Sequence, residues 1–318
     1  MKTMDKIRLG VSACLLGHAV RYDGSHQRNR YVTDILGAYV QFVPVCPEVE
    51  CGMGIPREAM HLEGDPENPR LITTRTRRDV TDQMLRWAAQ RLEELKKENL
   101  CGFIFKSNSP SSGMERVKIF DTKGMPHKKG VGIFARLFMK TFPHLPVEED
   151  GRLNDEVLRE NFVERLFHRK RWDDHVRGGK DLGRLVEFHT DHKLLYLAHS
   201  PKHHRELGKL VAEGKSLPLE TLYERYEHLM SEALKLKATV KKNTNVLYHL
   251  MGYFKKELSP SEKEELREII EAYHRGLYPL IVPITLINHY VRKYDQPYLK
   301  RQFYLNPHPL ELKLRNHA

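Results

Sequence analysis

Three short apolar runs each stop at a loop crowded with reactive side chains, and this alternation constrains the fold more than anything else in the chain. Residues 7–13 run into Cys14. Val40–Val45 runs into Cys46-Pro-Glu48, with Cys51 following among glycines and prolines. Gly102–Phe105 runs into Lys106 and the loop Ser107-Asn-Ser109-Pro-Ser-Ser112-Gly. A short helix is expected at 31–39. A longer one is expected at 79–97, where Met84, Ala88, Leu92 and Leu95 keep helical spacing. Strand–helix–strand–helix–strand predicts a parallel α/β sheet. Such sheets take ligands just beyond the carboxyl ends of their strands. Cys14, the Cys46/Glu48/Cys51 loop and the serine loop are therefore expected to converge.

The pattern elsewhere is plainer. Residues 56–78, rich in proline and arginine, are expected to be irregular. A further strand is expected at 115–120, then a glycine-rich loop at 124–132 opening a helix at 133–142. After Asp150 helical periods dominate. Asn154 suits the cap of a helix carrying Leu158, Phe162 and Leu166. Further helices are expected at 181–199, 202–213, 218–239, 244–258, 260–275 and 280–294. Ser259-Pro-Ser-Glu262 reads as a capping box with proline at the first helical position, Gly276 as a stop, and Pro283 as a kink or a delayed start. The expected architecture is an N-terminal parallel-sheet α/β domain at 1–150, a linker helix region at 151–180 and an all-α domain at 181–318.

Composition sets limits on function. Mean hydropathy is −0.58 and no apolar run approaches the ~18 residues of a membrane span. Residues 1–6 show no signal-peptide pattern. A cytoplasmic protein without a membrane partner is expected. Four cysteines in 318 residues make no disulfide framework and point to metal binding or chemistry. The net charge of +11 is uneven: residues 161–318 hold 28 Lys/Arg against 20 Asp/Glu. That excess fits a polyanionic partner, most simply nucleic acid, or a merely basic solvated surface.

Each reactive residue has two readings. Cys14 and Cys46 are either small core residues or, with Cys51, three thiolates around a zinc ion or an iron–sulfur cluster with one metal position open. Cys101, at the start of its strand, reads as core. Glu48 is either a general base for water or half of a salt bridge with Arg57 or Arg21. The loop serines, taken singly, read as turn and capping residues. His199, His203 and His204, which straddle Ser200-Pro201, read as surface histidines.

At these residues the chain resembles a known family. Val11-Ser-Ala-Cys14-Leu-Leu-Gly17 with Val20-Arg-Tyr-Asp-Gly24, Val45-Cys46-Pro-Glu48, and Lys106-x-x-Ser109-Pro-Ser-x-Gly113 resemble the thiouracil/thiouridine desulfidases over residues 5–145. Residues 180–315 resemble the YbgA-type helical domain fused behind some of them, through 191–199, 243–254 and 279–285. The resemblance implies a [4Fe-4S] cluster held by three cysteines, with one iron free for non-redox removal of sulfur from a thiolated pyrimidine. Fused members imply 4-thiouridine in tRNA, converted to uridine. The family's serine loop ends Ser-Pro-Ser-Cys-Gly, and its cysteine is the third ligand, but this chain has Ser112 there. The expected ligand set is then Cys14, Cys46 and Cys51, with Cys101 behind Cys51. Glu48 is expected as the base and Ser109 as a proton relay. Lys241, Lys242, Lys255, Lys256, Arg292 and Lys293 are expected to hold RNA, with Tyr248 and Tyr253 available for stacking. The rival readings are a desulfidase for free thiouracil with a structural helical domain, a cluster-less RNA-binding protein, and a zinc protein.

Overall fold

The computed structural model describes residues 6–316, so the first five residues of the expected α/β domain and the last two of the expected all-α domain lie outside it. The chain divides into two compact units between Leu158 and Arg159.

In the first unit, β1 (Ile7–Ser12) and β2 (Val40–Val45) are joined through short helical turns at 31–38. The single helical turn α1 (Pro47–Glu50) follows Cys46. Then come β3 (Met60–Asp65), β4 (Asn68–Thr73), α2 (Thr81–Lys96) and β5 (Gly102–Phe105). β6 (Val117–Phe120), β7 (Pro126–Gly130), α3 (Ile133–Thr141) and β8 (Val147–Glu149) complete it.

The expected parallel sheet is present, in the order β2-β1-β5-β8. Register pairs Ser12 with Val45, Val11 with Ile104, and Phe105 with Glu149, so the four strands end close to level. From the central β1 the chain turns to one side for β2 and to the other for β5. Doubly wound sheets place ligands at such a reversal. Phe103 and Phe105 pack against α3 through Phe134 and Phe138, with centroid distances of 4.7–6.4 Å. A buried aromatic layer of that kind fixes strand to helix.

A second sheet, β4-β3-β6-β7, was not expected. Residues 56–78 contain the β3–β4 hairpin, with Leu62 paired to Leu71, and 124–132 contains β7. β7 reads Pro-His-Lys-Lys-Gly and is exposed up to Gly130, so only its pairing with β6 makes it a strand. Leu62, Leu71, Val117 and Ile119 bury one face of this sheet with Met84 of α2.

The second unit is helical, as expected. α4 (Glu156–Arg177) leads into it, followed by α5 (Leu182–His199), α6 (Pro201–Ala212) and α7 (Leu219–Lys235). Next come α8 (Val240–Gly252), α9 (Pro260–His274), α10 (Ile281–Lys293) and α11 (Pro297–Lys300). Of the expected linker at 151–180, residues 159–180 belong to this unit, and Trp172 is buried in its core among Phe188, Tyr223 and Tyr226. Asp155, rather than Asn154, caps α4 by accepting from Leu158 N at 2.9 Å. The Ser259/Glu262 capping box forms, and Gly276 follows α9 at φ 73°. Pro283 lies in the first turn of α10, where its missing N–H costs no helical hydrogen bond. Among the described residues no helix is long and apolar enough to cross a membrane.

Candidate active site

The carboxyl ends of β1, β2 and β5 open on a cavity of about 360 Å³. Cys14 enters it from the turn after β1, and Cys46 from the N-cap position just before α1. Glu48 lies one helical position beyond Pro47. The serine loop after β5 supplies Lys106, Ser109 and Ser112. This loop sits tight against its surroundings because of two glycines. A Cβ on Gly113 would lie 2.4 Å from Val117 Cγ2, and one on Gly132 would lie 2.5 Å from the Ser111 carbonyl carbon.

Glu48 is the polar centre. Its Oε1 accepts a short hydrogen bond from Ser111 Oγ and a long one, 3.5 Å, from Ser109 Oγ. Its Oε2 lies 3.6 Å from Cys46 Sγ and 3.8 Å from Arg57 Nη2. Arg57 is held there by donating to Val20 O at 3.0 Å. The Ser109 hydroxyl also accepts from Ser111 N and Ser112 N, at 3.3 and 3.1 Å. It shapes the loop as well as facing the carboxylate. Lys106 Nζ lies 3.2 Å from Asp150 Oδ2 and 3.0 Å from Ser107 Oγ. A fixed cation thus stands on the same wall.

Both cavity thiols are pushed towards the neutral form. Burial, with Glu48 beside it, raises Cys14 to about 11. The same two causes raise Cys46 to about 12. Without a cationic partner these are thiols at neutral pH. Charge compensation at the sulfur would make them thiolates.

The structure does not bring Cys51 to the cavity wall. Its Sγ lies 3.3 Å from Glu48 O, and the side chain packs beside the core of the second sheet. Cys101 is 1 % exposed, at the amino end of β5, with its N–H on Arg8 O. Ser112 does line the cavity. It is 3 % exposed, and among the described residues its hydroxyl has one partner, Ser111 Oγ at 3.4 Å. Among the described residues no three His, Cys, Asp or Glu side chains come close enough to hold a single metal ion.

Residues 9–150 match the 2-thiouracil desulfurase family, and residues 193–309 match a family described as protein of unknown function DUF1722. The chain is 34% identical over 108 residues to the uncharacterized protein YbbK of Bacillus subtilis (strain 168), covering 32% of this chain and 71% of YbbK. It is 32% identical over 166 residues to the uncharacterized protein YbgA of Escherichia coli (strain K12), covering 52% of this chain and 95% of YbgA.

Residues 9–150 are a domain of the 2-thiouracil desulfurase family, joined to a YbgA-like domain.

A solved structure of a [4Fe-4S]-dependent thiouracil desulfidase, TudS, is 29% identical, covering 47% of this chain and 95% of its own, with a TM-score of 0.39.

Within the desulfurase unit, sequence reasoning missed Ser111, which makes the shortest contact to Glu48, and the Lys106–Asp150 pair. The signal for Ser111 was its place two residues after Ser109. In the YbgA-like unit the expected RNA contacts divide. Lys242 Nζ is spent on His199 O and Lys237 O, and Lys293 Nζ on Glu262. Lys241, Lys255, Lys256 and Arg292 are exposed, with no ion pair among the described residues. Tyr248 donates to Glu271 and Tyr253 stacks on Tyr298. The expected surface histidine His199 is 2 % exposed and pairs with Glu164.

Proposed function

We propose that the desulfurase unit hydrolyses the carbon–sulfur bond of a thiolated pyrimidine on a [4Fe-4S] cluster. The observation that carries this reading is one cavity edged by Cys14, Cys46, Ser112 and the Glu48 carboxylate. The donor set fits such a group. Two thiols and a buried, nearly unpartnered hydroxyl face a space of about 360 Å³, well beyond what one ion needs and within the range of small-molecule sites. When bound, the cluster supplies an iron that draws electron density from the exocyclic sulfur. Cys14 and Cys46 hold it as thiolates, and Ser112 occupies the third protein position. Cys51 is set aside for that role because its thiol lies behind Glu48 O.

This chain's residues perform the proton work. Glu48 accepts a proton from the water that attacks the ring carbon. The Ser111 and Ser109 hydroxyls hold Oε1 in place and pass the proton on. Lys106, steadied by Asp150, balances negative charge building on the attacked ring. The sulfur departs as hydrosulfide and the ring keeps the water's oxygen, so no electrons are consumed. In the proposed substrate, 4-thiouridine in tRNA, the base leaves its stack to reach the cavity. The exposed Lys241, Lys255, Lys256 and Arg292 support the RNA reading by charge.

The test is hydrosulfide release by anaerobically reconstituted protein given 4-thiouridine-containing tRNA or free 2-thiouracil, without an electron donor. Faster turnover of the tRNA, with a rate constant that falls steeply with salt, is expected. Equal or better turnover of free 2-thiouracil overturns the tRNA assignment. A strict need for a reductant overturns the hydrolytic scheme.

A further inference from the structure

The YbgA-like unit has a cavity of its own, of about 540 Å³, between α5, α6 and the end of α8. α5 contributes His189, Lys193 and Leu197, and α6 contributes His204, Arg205 and Gly208. His249 and Tyr253 close the third side, and no carboxylate lines it. Among the described residues neither Lys193 nor Arg205 forms an ion pair. Lys193 Nζ instead lies 5.1 Å from the Tyr298 ring centroid. Tyr298 in turn stacks on Tyr253 at 5.0 Å and 21°. His189 is 8 % exposed, and its Nδ1 lies 3.1 Å from Tyr226 OH. Its Nε2 is left on the Gly208 side, 3.9 Å from where a Cβ on that glycine would stand.

The charge here is uncompensated. Burial lowers the pKa of His204, and Lys193, His249 and Arg205 lower it further. A concave site lined by Lys193, Arg205 and three imidazoles, with no acid among its lining, favours an anion. The rest of its lining is not that of a bare anion site. Leu194, Leu197 and Pro201 give an apolar floor, and Tyr253, 41 % exposed, offers a ring beside it. Cations next to an aromatic platform match a phosphate joined to a base.

We propose that this cavity binds a nucleotide, with its phosphate on Lys193 and Arg205 and its base against Tyr253 and Leu197. The nucleotide is either free or one residue of an RNA strand. The site rests on no step of the sulfur chemistry, so either reading can fail without the other.

Isothermal titration of the full chain with uridine 5′-monophosphate, uridine, inorganic phosphate and a 12-nucleotide single-stranded RNA tests it. Saturable binding of the monophosphate or the RNA is expected, with uridine and phosphate each weaker. Arg205→Glu and Lys193→Ala should each weaken it about tenfold, the size of one lost charge-assisted contact. Gly208→Leu should block it by filling the cavity. Circular dichroism would confirm that each variant is folded, and turnover of free 2-thiouracil should be unchanged. Monophosphate that competes with the RNA assigns the site to a strand residue. Monophosphate that binds while the RNA does not assigns it to the free nucleotide. No saturable binding of either, binding unchanged in folded Arg205→Glu and Gly208→Leu, or phosphate binding as tightly as the monophosphate overturns the proposal.

Discussion

Glu48 and Glu164 are both carboxylates set among polar partners, one in each unit, and their settings are opposite. Glu164 is 4 % exposed. His199 binds one oxygen and Arg315 lies 3.3 Å from the other. Burial works against its ionisation, but His199 and Arg315 outweigh it and hold its carboxyl well below the usual range. Glu48 has two hydroxyls on one oxygen and the Cys46 thiol 3.6 Å from the other, with its guanidinium at 3.8 Å, and it faces a cavity. A carboxylate with both oxygens engaged inside the core holds elements together, and its proton affinity is tied to the fold. One held by hydroxyls beside open space can exchange a proton without loosening the structure. Titratable residues alone therefore mark nothing; how far their bonding capacity is spent does.

The largest effect that would break this contrast is at the thiols. Cys14→Ala and Cys46→Ala should each abolish iron binding and the broad absorption near ~400 nm expected of a cluster. Iron retained in either variant removes that residue from the ligand set.

Next in size is the structural carboxylate. Glu164→Gln leaves the buried Arg315 with Glu160, at 3.4 Å, as its remaining carboxylate, and should cost roughly 1–3 kcal/mol of stability in the second unit, measured by urea unfolding. Turnover of free 2-thiouracil by the remaining folded protein should match wild type. A change below about 1 kcal/mol would mean that the network is incidental.

The same unit should be sensitive to acid. Burial first, then His204 and Lys193, lowers His189 from 6.5 to about 4. Burial first, with Arg315, lowers His308 to about 4. Both are neutral in the fold, whereas the unfolded chain takes up protons below 6.5. Stability is then whole above pH 6.5 and falls between 6.5 and about 4. Glu164 extends the loss below its ordinary 4.5. Melting temperatures that stay flat from pH 7 to 4 would contradict these assignments.

The smallest effect sharpens the ligand set. Cys51→Ala should keep its iron, because that thiol lies off the cavity wall. Iron lost there but kept in Ser112→Ala would return the third position to Cys51.

Much of the first site was readable because strands announce themselves locally. Apolar runs ending at Cys14, Cys46 and Lys106 needed no distant partner to be recognised, and the parallel register then levels their ends. What was hidden depends on long-range pairing. β7 is an exposed run of charge until β6 lies beside it, and Leu62 finds Leu71 only across a hairpin. His199 read as surface because its partner Glu164 is 35 residues away on another helix. Cys51 read as a ligand beside Cys46, and sequence distance did not show that its thiol falls off the cavity wall.

The central claim is that Glu48 moves a proton in sulfur removal without holding the site together. Wild type and Glu48→Gln, reconstituted to equal iron content, should be compared for hydrosulfide release alongside loss of the thione chromophore. Glutamine keeps the size and can still bond to Ser111, but it cannot take a proton from water. The account predicts unchanged iron and visible spectrum with turnover reduced by roughly 10²–10⁴-fold, the span for loss of a general base. Near-normal turnover in Glu48→Gln at equal iron content would contradict it.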